Sequence, residues 1–347
     1  MPRPLELSAK LLAATIVLTT AGLAQTTPAD LPTDCSAYAS IPLPPEAAKA
    51  TAPKTPPSCA SYRSYRGIGR PVNFAEARRC AWQERLAQQA DLGQNLKEPS
   101  AWVVGGSLIL ADIYANGAGV PRNLPLAMRF ACEFEQTTAT GALPAIKKLN
   151  TLPPPHTRFE LCDYAWTTFT ATFCTDYQSE IKDDQRNRYY KSLESRMHTD
   201  HKTAFEKLLA AENAYVAAHA SEVYQGGTIH NIRTLTSQDI LDSLFHAEVV
   251  HYERNDWPPV TPNERKTAEG LLQREYDDKL RQLQSRPAEQ ADDRAVVTAE
   301  GLAQAQAAWL QFRDAWTAFA RLRYPAAADA IRAQITLDRY RLLKTID

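Results

Sequence analysis

From Leu302 to Arg323, apolar side chains return at steps of three and four: Leu302, Ala305, Trp309, Phe312, Trp316 and Phe319. At about 100° per residue they share one stripe, which predicts an amphipathic helix buried along one side. Arg313 falls inside that stripe, between Trp309 and Trp316. A guanidinium there needs a carboxylate or carbonyls as partner, because an unpaired buried charge is costly. Asp314, one position on, projects away around the helix, so the acceptor is expected from a neighbouring helix. Trp309, Arg313 and Trp316 are therefore read as structural residues of a helical bundle. The same periodicity predicts a helix over roughly Ala101–Ala115 and fills most of 159–347 with long amphipathic runs. Thr167 or Thr168 is the expected N-cap of one that ends near Met197.

Two internal echoes organise the chain. At an offset of 50, Gly67, Gly69, Pro71, Asn73, Ala77 and Arg79 are matched by Gly117, Gly119, Pro121, Asn123, Ala127 and Arg129. Each copy carries glycines suited to a tight turn, an Asn cap and then a helix, the helix–turn–helix unit of an α-solenoid. At an offset of 94, Ala211-Glu-Asn-Ala-Tyr215 parallels Ala305-Gln-Ala-Ala-Trp309, which suggests two related helical halves. Leu152-Pro-Pro-Pro-His156 breaks the helices. The expected organisation is a signal peptide at 1–24, a proline-rich leader at 25–57, repeats at 58–150, a linker at 151–158 and a helical domain at 159–347. The leader has no helical or strand period and is read as a stiff, exposed spacer.

Composition narrows the function classes. The formal net charge of −1 argues against nucleic acid as a bulk partner. Charge is uneven, with 11 Lys and Arg against 7 Asp and Glu over Ser58–Asn150, but 23 against 29 over Phe159–Asp347. Arg3 and Lys10, the apolar run Leu11–Leu18 and Gly22-Leu23-Ala24 have the layout of a secretory signal. The apolar run is too short to span a bilayer, so an exported protein, periplasmic or secreted, without stable membrane insertion of the mature chain is expected. Export makes disulfides of Cys35, Cys59, Cys80, Cys132, Cys162 and Cys174 the natural expectation. A Cys35–Cys59 bridge would pin the leader, and Cys80 and Cys132, on equivalent repeat helices, would cross-link the stack. On one straight helix Cys162 and Cys174 would lie about 18 Å apart, so their bridge requires the helix to start at the threonines.

Two families come into view. Leu110–Ala131, with Leu110, Tyr114, Gly117, Gly119, Val120, Ala127 and Phe130 in pattern, resembles a Sel1-like repeat, a relative of the tetratricopeptide repeats. Asn123 stands where an Asp is usual, and the first copy is partial. That likeness implies stacked helix pairs that bind other proteins. Cys162, Thr168, Cys174, Tyr190 and Leu193, then Ala305, Gln306, Trp309, Phe312, Arg313 and Asp314, then Thr336–Leu343, resemble the LprI lysozyme-inhibitor-like family over most of 159–345. Thr317 replaces a frequent further cysteine of that family, and the acceptor cysteine of its lipidated members is missing. The likeness implies capture of a lysozyme-type muramidase, an enzyme class that is commonly cationic.

Candidate chemistry is sparse. Ser179-x-x-Lys182 has the spacing of a Ser-Lys nucleophile, but neither of its usual companion motifs follows, and both residues sit on a polar helical run. His198 and His201 share a helical face without a third ligand at a metal-binding spacing. Asp183-Asp184, Asp277-Asp278 and Asp292-Asp293 diverge around a helix and read as solvated charge. Trp257 lies in the Pro-Pro connector, so with flanking Glu253 and Asp256 it is the candidate partner contact; capping the bundle is the ordinary alternative. The resulting expectation is an all-α, non-catalytic interaction protein of the bacterial envelope: a short solenoid, then an elongated bundle. No metal or cofactor is expected, and the partner is a protein, with a muramidase as target. The competing expectation is a repeat-based adaptor in envelope assembly or stress response.

Overall fold

The computed structural model describes residues 34–50, 60–91, 101–151, 158–286 and 297–346. The signal-like stretch 1–24, Cys59 and Asp292-Asp293 lie outside them. Among the described residues the chain is all-α, with no strand. The helices are α1 (Ser61–Arg66), α2 (Phe74–Asp91), α3 (Ala101–Asn116), α4 (Leu124–Phe134), α5 (Gln136–Lys148), α6 (Thr168–Glu194), α7 (Thr199–His219), α8 (His230–Glu253), α9 (Pro262–Gln284), α10 (Ala299–Arg323) and α11 (Ala328–Leu343). None is long and apolar enough to cross a membrane.

The offset-50 echo is a repeat of backbone geometry. Gly67, Gly69, Gly117 and Gly119 all take positive φ, which a β-carbon resists. Asn73 donates its N–H to the Ser64 carbonyl at 2.9 Å, and Asn123 donates to Tyr114 at the same distance. The side chain of Asn73 accepts from the Glu76 amide, as Asn123 accepts from Leu126, so both are helix caps. Helices α2, α3 and α4 then pack in succession. Gly106 sets the closest approach, since an added Cβ would lie 2.3 Å from the Arg85 nitrogen.

Over 34–50 the leader is not an exposed spacer. Tyr38 is buried in the first core, and Cys35 bonds to Cys132 rather than to Cys59. Glu46 accepts from the Tyr114 hydroxyl at 2.7 Å and from the Trp82 indole at 3.3 Å, and pairs with Arg78 at 3.0 Å. The apolar side of the repeat needs a cover, and this segment supplies it. The Cys80–Cys132 expectation falls with the same observation, although Cys80 is itself disulfide-bonded. Cys162 does bond to Cys174, because Thr167 caps α6 and the chain before it turns back through a short 3-10 segment, Leu161–Tyr164.

The cores part within α6, not at the proline break. Phe159, Leu161, Cys174 and Tyr177 belong to the first core, and Tyr190 and Leu193 to the second. The first repeat turn docks on this shared helix: Asp184 accepts from the Gly69 amide at 2.8 Å, and Arg66 donates to the Tyr177 hydroxyl at 2.6 Å. In the second core α7 packs along α10, α9 along α11, and α6 against α8. Trp309, Trp316 and Phe319 lie at its centre, as their period requires.

Candidate partner-binding site

The most regular sequence signature builds a clamp. Arg339, fully buried, donates from Nε to Gln306 Oε1 at 2.9 Å, and its terminal nitrogens meet the two Glu222 oxygens at 2.6 and 2.8 Å. His219 holds Glu222 from the other side at 2.8 Å. Burial alone would raise the Glu222 carboxyl; the bonds from Arg339 and His219 hold it below its ordinary value. Arg313 finds Glu269 on α9 at 2.9 Å, the expected acceptor from a neighbouring helix. It also reaches Asp314 at 2.9 and 3.1 Å, contrary to the expectation that adjacent helical residues could not pair. The flexible arginine stem bends over the helix surface, which an argument from Cβ directions leaves out. Arg332 extends the cluster to Glu269 at 2.8 Å.

The connector candidates divide between packed and exposed. Trp257 stacks on Tyr252 and packs against Tyr324, and is 37% exposed. Glu253 has both oxygens engaged by Arg323, at 2.9 and 3.0 Å, and accepts from Tyr324. Asp256 bonds His251 at 2.6 Å. The connector thus has the contacts of a bundle cap through Glu253 and Trp257, while Trp257 and Asp256 stay exposed on its surface. Lys182, half of the Ser-Lys pair, is ion-paired with Asp239 at 2.6 Å. The rings of His198 and His201 stand edge to face at 6.0 Å, and no metal-binding group of three His, Cys, Asp or Glu occurs among the described residues.

Residues 260–343 match the family model described as Lysozyme inhibitor LprI. The LprI match covers α9 to α11, less than half of the chain and narrower than the resemblance over 159–345. No curated protein and no solved structure matches the chain. Within the LprI-matched unit, Gln306, Trp309 and Arg313 are all buried.

Two concavities open on the helices that precede the LprI-matched unit, and only the second of them also borders that unit. One is an acidic cleft of about 340 Å³ between α6, α7 and α8, lined by Asp176, Glu180, Asp183, Asp239 and Asp242. Arg63, which pairs with Glu180 at 2.5 Å, and Arg186 and Lys182 offset part of this charge. Asp176 forms no ion pair among the described residues; burial, and then the charges of Glu180 and Asp183, push its carboxyl up. The other is an apolar groove of about 470 Å³ between α7, α8, α10 and α11. Glu212 lies between the two and hydrogen-bonds Asp242. Burial raises both carboxyls, so the pair retains a proton that isolated carboxylates would have lost.

Neither concavity was anticipated. Asp239 and Asp242 meet α6 only through helix packing, and no local spacing announces that. Trp166, 74% exposed beside α6, was likewise overlooked. Its only sequence signal was a tryptophan lying outside the helical period.

Proposed function

We propose that this is an exported, non-catalytic interaction protein of the bacterial envelope that captures and inhibits a lysozyme-type muramidase. The match of 260–343 to a lysozyme-inhibitor family carries the reading. The acidic cleft supports it: its five carboxyl groups outnumber the three cations that pair with them, Arg63, Lys182 and Arg186, and a cationic partner gains association rate from the net field. The family's hallmark residues act as an internal clamp, so the contact surface is assigned to the cleft rather than to them.

The test is the lysis rate of a peptidoglycan suspension by a muramidase, with and without the full chain. Inhibition is expected, and it should weaken with added salt and in the double variant Asp176→Asn, Glu180→Gln. Undiminished lysis at a large molar excess of inhibitor contradicts the proposal. A second reading, an adaptor working through a Sel1-like repeat face, draws on the matching hydrogen bonds of the two units. Residues 34–50 and α6 already cover parts of that face.

A further inference from the structure

We propose that the apolar groove between α7, α8, α10 and α11 anchors a polypeptide segment that presents a large apolar side chain beside a lysine or arginine. This rests on the reading of the adjoining cleft as a partner surface, and it specifies the partner's chemistry. Leu241, Phe245, Phe312, Ile335 and Leu342 line the groove. Its volume of about 470 Å³ is in the range of ligand-holding pockets. At its rim Ile240 and Leu244, one turn apart on α8, are 53% and 58% exposed. The apolar surface thus continues out of the groove, as suits a segment of chain lying across it.

Charge selects the kind of segment. Both arginines bordering the groove are taken, Arg339 by Glu222 and Arg341 by Asp338. Glu212 and Glu248, which also line it, are pushed up by burial to about 9 and about 8, so the groove wall itself carries no free carboxylate near neutrality. The charge that discriminates lies in the adjoining cleft, where a ligand carboxylate would meet like charge and a cation would find acceptors. Val216 lines both groove and cleft, and the Glu212–Asp242 carboxyl pair is the partition between them. An apolar side chain seated in the groove therefore puts a neighbouring lysine or arginine, with its long stem, within reach of the cleft carboxylates.

Three short synthetic peptides titrated into the full chain, read by fluorescence anisotropy, test this. One combines Leu with Lys, one combines Gly with Lys at equal charge, and one combines Leu with Glu. The Leu/Lys peptide is expected to bind at least about tenfold tighter than either other. Leu244→Ser should remove most of that advantage while leaving the Gly/Lys affinity unchanged; Leu244 is exposed, so the variant should keep the parent circular dichroism. Equal binding of Leu/Lys and Gly/Lys, equal binding of Leu/Lys and Leu/Glu, or indifference to Leu244→Ser each overturns the proposal. Absence of muramidase inhibition alongside Leu244-dependent peptide binding removes the proposed target and leaves the groove. Inhibition that survives Leu244→Ser, with no peptide preference, does the reverse.

Discussion

The side chains of Arg339 and Glu222 have no solvent exposure, and each satisfies the other. Removing one partner of such a pair strands a buried charge, so Arg339→Leu is expected to cost about 3–5 kcal/mol in urea unfolding followed by tryptophan fluorescence. Changing Glu222 to leucine as well should recover much of the loss. Glu248 behaves oppositely. Burial, reinforced by Asp338, pushes its carboxyl up to about 8, while the Trp316 indole N–H, at 3.3 Å, partly opposes this. A carboxyl whose folded value is raised binds its proton more tightly when folded, so stability falls as pH rises from about 4.5 to about 8. Glu248→Gln should therefore gain stability on the order of 2 kcal/mol near pH 9 and none near pH 4, measured by chemical denaturation at both. A variant equally stabilised at both would show that the carboxyl's ionisation is not the cause. At this scale the sequence revealed burial but not pairing. The stripe located Arg313, yet Asp314 as its partner, and Arg339 as a buried ion-pair partner, depend on rotamers and on which helix lies opposite.

Helices were the most legible elements, because period and caps are local. The expectation of 101–115 became Ala101–Asn116, and Thr167 caps α6 as expected, although α6 stops at Glu194 instead of near Met197. The offset-50 glycines identified two turns that share one hydrogen-bond pattern. They also yield an ordering. An added Cβ at Gly69 meets nothing within 4 Å, at Gly119 it lies 2.7 Å from Phe74 Cβ, and at Gly106 it lies 2.3 Å from backbone. Gly69→Ala should cost about 1 kcal/mol for its positive φ alone. Gly119→Ala should cost more, and Gly106→Ala, which forces α2 and α3 apart, the most. Thermal unfolding of the three variants checks the order, and equal losses would show that α2–α3 contact is not the limiting approach.

Across the whole molecule, α6 is the shared spine of two cores and a covalent staple closes the first. Cys35 and Cys132 are 97 residues apart, so breaking that bridge should cost about 5 kcal/mol in the chain-entropy account. The paired variant Cys35→Ser, Cys132→Ser, compared with the parent in urea, reads that loss. Long-range order of this kind was illegible beforehand: a proline-rich stretch with no period became part of a core because Tyr38, Glu46 and Cys35 find distant partners. The acidic cleft was foreshadowed only as a surplus of acid over 159–347, since composition counts charge without placing it. Calorimetric titration of the full chain with a purified lysozyme-type muramidase, at low and at high salt, tests the central claim most directly. The account predicts saturable binding at low salt that weakens about tenfold or more at high salt. Absence of heat at micromolar concentrations, or an affinity indifferent to salt, would contradict it.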